Sequence, residues 1–292
     1  MAFAWTDYRL RKCEIVLISY FFYLAAIAPL FRDRPRADIR ILAIAVAVTS
    51  AILLLARLDS RSRHAGFSIA RDWVSLGLVL AAYRSLDLFS PVSYTFALER
   101  SWIVWDHLVL DHWGLRRAIE SSGRALPAYL EFCYLLTSGA GVYGLAVLYL
   151  HRKRAVAGQF LFVYILGTLL AYAMIPWFPS EPPRVVFPLI DGPQVLTALR
   201  RYNLAVLAHA GIHAGVFPSA HVSSTFSVAW GMFAALPEQK RFGWVFLLYA
   251  TSVAVATIYG RYHFAVDAVA GIAVSIVAGT IAAYLRKLPT QK

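Results

Sequence analysis

Two strings near the C-terminus carry the residue types that phosphoryl transfer requires: Pro218-Ser219-Ala220-His221 and Arg261-Tyr262-His263-Phe264-Ala265-Val266-Asp267. His263 and Asp267 are four positions apart, so on a helix both fall on one face. A carboxylate bonded to one imidazole nitrogen fixes the tautomer and leaves the other free as a nucleophile or base. Pro218 and Ser219 suit the first turn of a helix, whose free amides and dipole favour an anion such as phosphate. Ser219 adds a hydroxyl donor. His221 would lie beside that anion, placed to deliver a proton to a leaving oxygen. Arg184, in Pro182-Pro183-Arg184, and Arg261 supply permanently charged planar forks for the non-bridging oxygens.

Each fragment alone also fits a plainer role. Pro218-Ser219-Ala220-His221 is what a helix cap with an interfacial histidine looks like, and Arg184 alone could be a snorkelling loop cation. The His-x-x-x-Asp spacing occurs twice, and His107/Asp111 sits among Trp102, Trp105 and Trp113 on a segment that reads as interfacial. His209 and His213 share a helical spacing before Pro218, fitting either the rim for a substrate or acceptor, or an interfacial pair without catalytic duty. His221, His263 and Asp267 could instead hold a metal. Two nearby arginines would repel a cation, so neither metal nor cofactor is expected. Glu131, Arg84 and Asp87 are ionisable groups at membrane depth, which by default suggests function. Arg84 and Asp87 could also neutralise each other, and the sequence offers Glu131 no partner.

The elements that must position these residues are apolar helices. Of 292 residues 60% are hydrophobic and 15% charged, against about a quarter charged in a soluble domain; mean hydropathy is +0.61. Apolar runs long enough for about 30 Å of hydrocarbon recur over 14–31, 39–57, 70–90, 127–150, 156–177, 219–236, 242–259 and 264–286. The expected fold is therefore all-α, a polytopic membrane protein of about eight transmembrane helices. Segment 91–126 mixes Trp with charges and predicts one or two amphipathic interfacial helices, whereas 178–218 is a Pro- and Gly-rich connection. With eight spans, that connection, Pro218 and the 260–263 turn all lie on one side of the membrane.

The net charge of +12 does not point to nucleic acid, because the cations sit in short loops such as Arg32-Asp33-Arg34-Pro35-Arg36 and Arg152-Lys153-Arg154, where they meet lipid headgroups or fix topology. The N-terminal side collects 15 Lys and Arg and the opposite side 12, which places both termini in the cytoplasm and the histidines outside. Arg9-Leu10-Arg11-Lys12 ahead of an apolar run resembles a signal, but the run is long and more spans follow, favouring an uncleaved first helix. Cys13 and Cys133 form no metal or disulfide pattern.

Residues 176–275 resemble the type 2 phosphatidic acid phosphatase superfamily, and most closely its inositol phosphorylceramide synthase branch. The matching strings are Phe178-Pro179-Ser180-Glu181-Pro182-Pro183, Pro218-Ser219-Ala220-His221, and His263-Phe264-Ala265-Val266-Asp267 followed by Ala270-Gly271. The resemblance implies a six-helix catalytic core over 66–287, with its interfacial segment at 91–126 and its active-site loop at 178–218, preceded by a helix pair within 1–65. It implies that His263 is transiently phosphorylated, Asp267 orients it and His221 is acid then base, with Ser219, Arg184 and Arg261 holding phosphate. The substrate implied is a phosphorylated lipid. Separately, a composition rich in Ala, Leu, Val and Arg fits a bacterial inner membrane. Trp177 stands where the phosphatases carry a lysine, and one residue rather than five separates Arg261 from His263; both features lean toward the transferase branch. In that branch arginine is not the usual residue after the proline pair. A transporter or scaffold that kept the helices and lost the chemistry is the rival from another class, and the intact His221, His263 and Asp267 weigh against it.

Overall fold

The structure is a computed structural model that describes residues 9–31, 38–62 and 64–287; the Arg32–Arg36 charge run lies outside the described residues. The chain forms α1 (Lys12–Ile27), α2 (Asp38–Arg61), α3 (Ala65–Ser85), α4 (Ala97–His107), α5 (Leu115–Glu120), α6 (Ala125–Leu135), α7 (Ala140–Leu150), α8 (Ala157–Met174), α9 (Pro183–Val186), α10 (Ala198–Ala210), α11 (Ala220–Ala235), α12 (Lys240–Tyr259) and α13 (Ala265–Lys287). All eight apolar segments read from the sequence are helical. Among the described residues six helices are long and apolar enough to cross a membrane, and a seventh span results if α6 and α7, bent by 41° at their junction, count as one. The bend follows from Thr137-Ser138-Gly139, where the Thr137 hydroxyl donates to the Tyr134 carbonyl at 2.7 Å and interrupts the helical ladder.

The eighth segment, α11, has only 16 residues, about 24 Å of helix. It falls short of the hydrocarbon thickness because it starts inside the protein, at the floor of a cavity. It packs against α8, α12 and α13, and small residues bring the backbones together. A Cβ on Gly167 of α8 would lie 1.9 Å from Ser227 Oγ, and one on Gly271 of α13 would lie 2.5 Å from the Ser219 carbonyl. Alanine at either position would separate the helices that frame the cavity.

At the opposite end, α1 and α2 are fastened to the rest by ionic contacts that apolar patterning did not reveal. Arg71 holds Glu14 at 2.6 Å and Asp59 at 2.7 Å. Asp72 accepts from Arg11 at 2.5 Å, Arg154 at 2.9 Å and Tyr149 at 2.5 Å. Each charge is thereby met by an opposite one, as burial requires. The interfacial segment contains α4, a π-helical turn at Leu108–His112 and α5, with Trp105 and Trp113 facing outward. The 178–218 connection differs from expectation: it includes a 13-residue helix, α10, capped by Thr197, whose side chain accepts from Arg200 N.

Candidate active site

Ser219 is the N-cap of α11, its Oγ accepting from Val222 N at 3.3 Å, and its own amide donates to the Asp267 carbonyl at 3.0 Å. That bond docks the start of α11 on the first turn of α13. The turn between α12 and α13 then aims His263 at His221: His221 Nδ1 and His263 Nε2 are 3.2 Å apart. His263 Nδ1 lies 3.3 Å from Asp267 Oδ2, which also accepts from Phe264 N at 2.9 Å. A proton on His263 Nδ1, facing the carboxylate, leaves Nε2 with its lone pair toward His221. Burial, then the Arg184 charge, pulls the His263 pKa down to about 3, so its imidazole is neutral at neutral pH.

His221 and His263 line a cavity of about 290 Å³ together with Arg184, Tyr134, Tyr262 and His213. Among the described residues Arg184 has no carboxylate partner. Its amide donates to the Arg261 carbonyl at 3.2 Å and its guanidinium lies 5.6 Å from the Tyr262 ring. The cavity therefore contains a guanidinium, two imidazoles and the start of α11, a set that suits an oxyanion.

The remaining sequence-derived residues are dispersed. The buried Arg261 side chain does not line the cavity; its Nη1 pairs with Asp106, while among the described residues Nε and Nη2 have no hydrogen-bond partner. His213 sits at the rim, its Nδ1 3.5 Å from Glu181. His209 lies on the exposed side of α10, against the Ala205 carbonyl, and does not reach the cavity. Arg84 and Asp87 face each other at 3.9 Å at the end of α3, both half-exposed. His107, Asp111 and Asp191 cluster outside the cavity with ligand atoms within 4.8 Å of one another, but Arg116 already pairs with Asp111. A hydrogen bond with Asp191 raises the Asp111 pKa.

Glu131 does have partners. It accepts from Arg200 at 3.0 Å, Asn203 at 2.7 Å and the Tyr262 hydroxyl at 2.5 Å, and the Tyr262 ring stacks on Tyr134 at 3.8 Å. This network fixes the residue before His263. Sequence reasoning also missed Asp106, the buried carboxylate beside Arg261. Its neighbour His107 matched the i, i+4 pattern instead, and the available signal was a pair of acidic residues, Glu99 and Asp106, seven apart on one face of an amphipathic helix.

The PAP2 superfamily matches residues 102–281, from the middle of α4 to the far half of α13. A protein of Dictyostelium discoideum named a PA-phosphatase related-family protein is 37% identical over 62 residues, 21% of this chain and 11% of that relative. The chain thus spans about a tenth of the curated relative it matches. No solved structure gives a match. Since the match encloses Arg184, both histidines and Asp267, and covers more than half of the sequence, the chain belongs to the PAP2 superfamily.

Proposed function

We propose that this chain is a multi-pass membrane enzyme that transfers a phosphoryl group from a phosphorylated lipid through a phosphohistidine at His263. The observation carrying this reading is the line Asp267–His263–His221 at the floor of a cavity that also holds Arg184. Asp267 accepts from Nδ1 of His263, and Nε2 attacks phosphorus. Arg184 and the first-turn amides of α11 neutralise the non-bridging oxygens as charge builds on them. The Ala220 and His221 amides have no protein acceptor among the described residues, whereas Ser219, fully buried and outside the cavity lining, serves as the cap of α11. A phosphate bound in the cavity beside the two histidines favours the imidazolium form of His221, which gives its proton to the leaving oxygen as the P–O bond breaks. An acceptor hydroxyl then attacks the phosphohistidine, His221 takes its proton, and the P–N bond to His263 breaks. No metal or cofactor is needed in this sequence of steps.

Water as acceptor makes the enzyme a phosphatase, in keeping with the name of the Dictyostelium relative. A lipid or sugar hydroxyl makes it a transferase, a second reading favoured by Trp177 in place of the phosphatase lysine and by the polar rim of Glu181 and His213. The resemblance of the strings to the inositol phosphorylceramide synthases supports that second reading. The domain reading places the helix pair of 1–65 beside a catalytic core over 66–287, in a bacterial inner membrane with the cavity on the non-cytoplasmic face.

The test is turnover by purified protein in detergent and EDTA, offered phosphatidic acid, polyprenyl phosphates and diphosphates, and phosphoinositides, with and without hydroxyl acceptors. Wild type should release phosphate or form a phosphorylated acceptor, and His263→Ala should do neither while folding normally. Turnover surviving in His263→Ala would remove the phosphohistidine from the mechanism. Loss of wild-type activity in EDTA would point to a metal.

A further inference from the structure

Helix α4 lies outside the cavity, yet one of its faces touches all three strings that form the site. Glu99, Trp102 and Asp106 are spaced i, i+3, i+7, so they share one side of the helix. Glu99 is 1% exposed and Asp106 fully buried. Glu99 Oε1 accepts from the Glu181 amide at 2.9 Å, three residues before Arg184. Trp102 stacks on Phe217 with ring centroids 5.2 Å apart and meets Phe264 edge-on at 5.6 Å, so it contacts the residue before Pro218 and the residue after His263. Asp106 Oδ1 accepts from the Ala265 amide at 2.6 Å and Oδ2 pairs with Arg261 Nη1.

The chemistry of these contacts is that of a support. The Ala265 amide belongs to the first turn of α13, where backbone donors have no partner within the helix. Asp106 therefore caps α13 from outside, beside Asp267, which caps it from within at Phe264. Any drift of that turn would move Asp267 and His263 together. A buried carboxylate is expensive to keep, and two on one short interfacial helix, each with an oxygen on a backbone amide of a catalytic string, are not explained by packing. The opposite face of α4 exposes Ser101, Val104 and Trp105, as suits the membrane interface.

We infer that Glu99, Trp102 and Asp106 are positioning residues, and that α4 is a clasp setting the distance between the Arg184 loop and the His221–His263 pair. None of the three lines the cavity, so none touches substrate. The inference rests on the phosphohistidine reading above. It adds that the constellation is held from the interface side, by a helix that the spacing of the catalytic strings does not include.

The experiment compares Glu99→Leu, Glu99→Gln, Asp106→Asn and His263→Ala in the full chain in detergent, measuring kcat, KM and melting temperature. Displacing reacting groups by about 1 Å costs on the order of 100-fold in rate. Asp106→Asn and Glu99→Leu should each lower kcat by roughly 10- to 100-fold with KM within about threefold. Glu99→Gln keeps the acceptor oxygen and should retain near wild-type kcat. That rescue separates positioning from general stability, and the Glu99 pair carries the test if Asp106→Asn does not fold. An inactive His263→Ala beside wild-type kcat in both Asp106→Asn and Glu99→Leu overturns the clasp and leaves the phosphohistidine standing. A fully active His263→Ala overturns the reading beneath it.

Discussion

His263 and Asp106 show burial acting in opposite directions on two groups at one turn. For His263 it disfavours the cation and holds the pKa near 3, so a neutral nucleophile persists throughout the neutral range. For Asp106 it disfavours the anion and raises the pKa from 3.8 to about 6. The groups facing Asp106 are the Arg261 charge and the Ala265 amide, which oppose the rise, and Asp267, which adds to it. A folded-state pKa above the unfolded one means the folded chain holds that proton more tightly. The stabilising share is complete below about pH 4 and lost as pH rises through about 6. Acidification from pH 7 to 5 therefore does not destabilise the protein through Asp106, but it removes the charge opposite Arg261. The expected result is a kcat that falls below about pH 6 while the melting temperature holds. Asp106→Asn should lack that acid limb, and a limb persisting in it would belong to another group.

Among the elements, the least expected cross-link joins α6, α10 and the turn ahead of α13. Glu131 is 2% exposed and meets Arg200, Asn203 and Tyr262 at once. Removing the carboxylate leaves a buried guanidinium without its counter-ion, a loss of about 3–5 kcal/mol. Tyr262→Phe removes one hydrogen bond and should cost about 1 kcal/mol. Equilibrium unfolding of Glu131→Ala and Tyr262→Phe checks both, and equal effects would mean that Arg200 finds another partner. Helix period and apolar length made the spans legible, because lipid demands them of any crossing segment. The 263/267 pair was legible from its four-residue spacing, although His263 lies in the turn before α13 and only Asp267 lies on the helix itself. Glu131 could be singled out but not partnered, since its partners come from positions 200, 203 and 262 and nothing local encodes such a meeting. Asp106 was missed for a related reason. Its neighbour His107 matches the i, i+4 spacing, but about 100° of helical rotation separates the two, and only the packing of α4 shows which one turns inward. Helix α10 was hidden because its neighbours in sequence are the prolines and glycines that usually mark a loop.

Across the whole molecule, the helices alternate so that one end holds all the chemistry. Tyr23 and Trp177 meet at that end, the Trp177 indole donating to the Tyr23 hydroxyl at 2.7 Å. At the other end Lys12 reaches the Leu285 carbonyl at 3.3 Å, near the last turn of α13 with Arg286 and Lys287. Helix α12 starts there with Lys240 and Arg241 and ends at the catalytic turn; α13 returns. The end away from the cavity therefore gathers Lys12, Arg152, Lys153, Arg154, Lys240, Arg241, Arg286 and Lys287, and the positive-inside tendency predicts that this end faces the cytoplasm. The two native thiols, Cys13 and Cys133, are buried, so a single new cysteine can report sidedness over a low background. Val92 is 84% exposed at the cavity end, and Glu238 is exposed in the turn between α11 and α12. On intact bacterial cells expressing the protein, a membrane-impermeant maleimide should label Val92→Cys directly and Glu238→Cys only after permeabilisation. The reverse pattern would turn the molecule over, so that the lipid phosphate is met from the cytoplasmic leaflet and the acceptor comes from the cytosol; the chemistry at His263 would be unchanged.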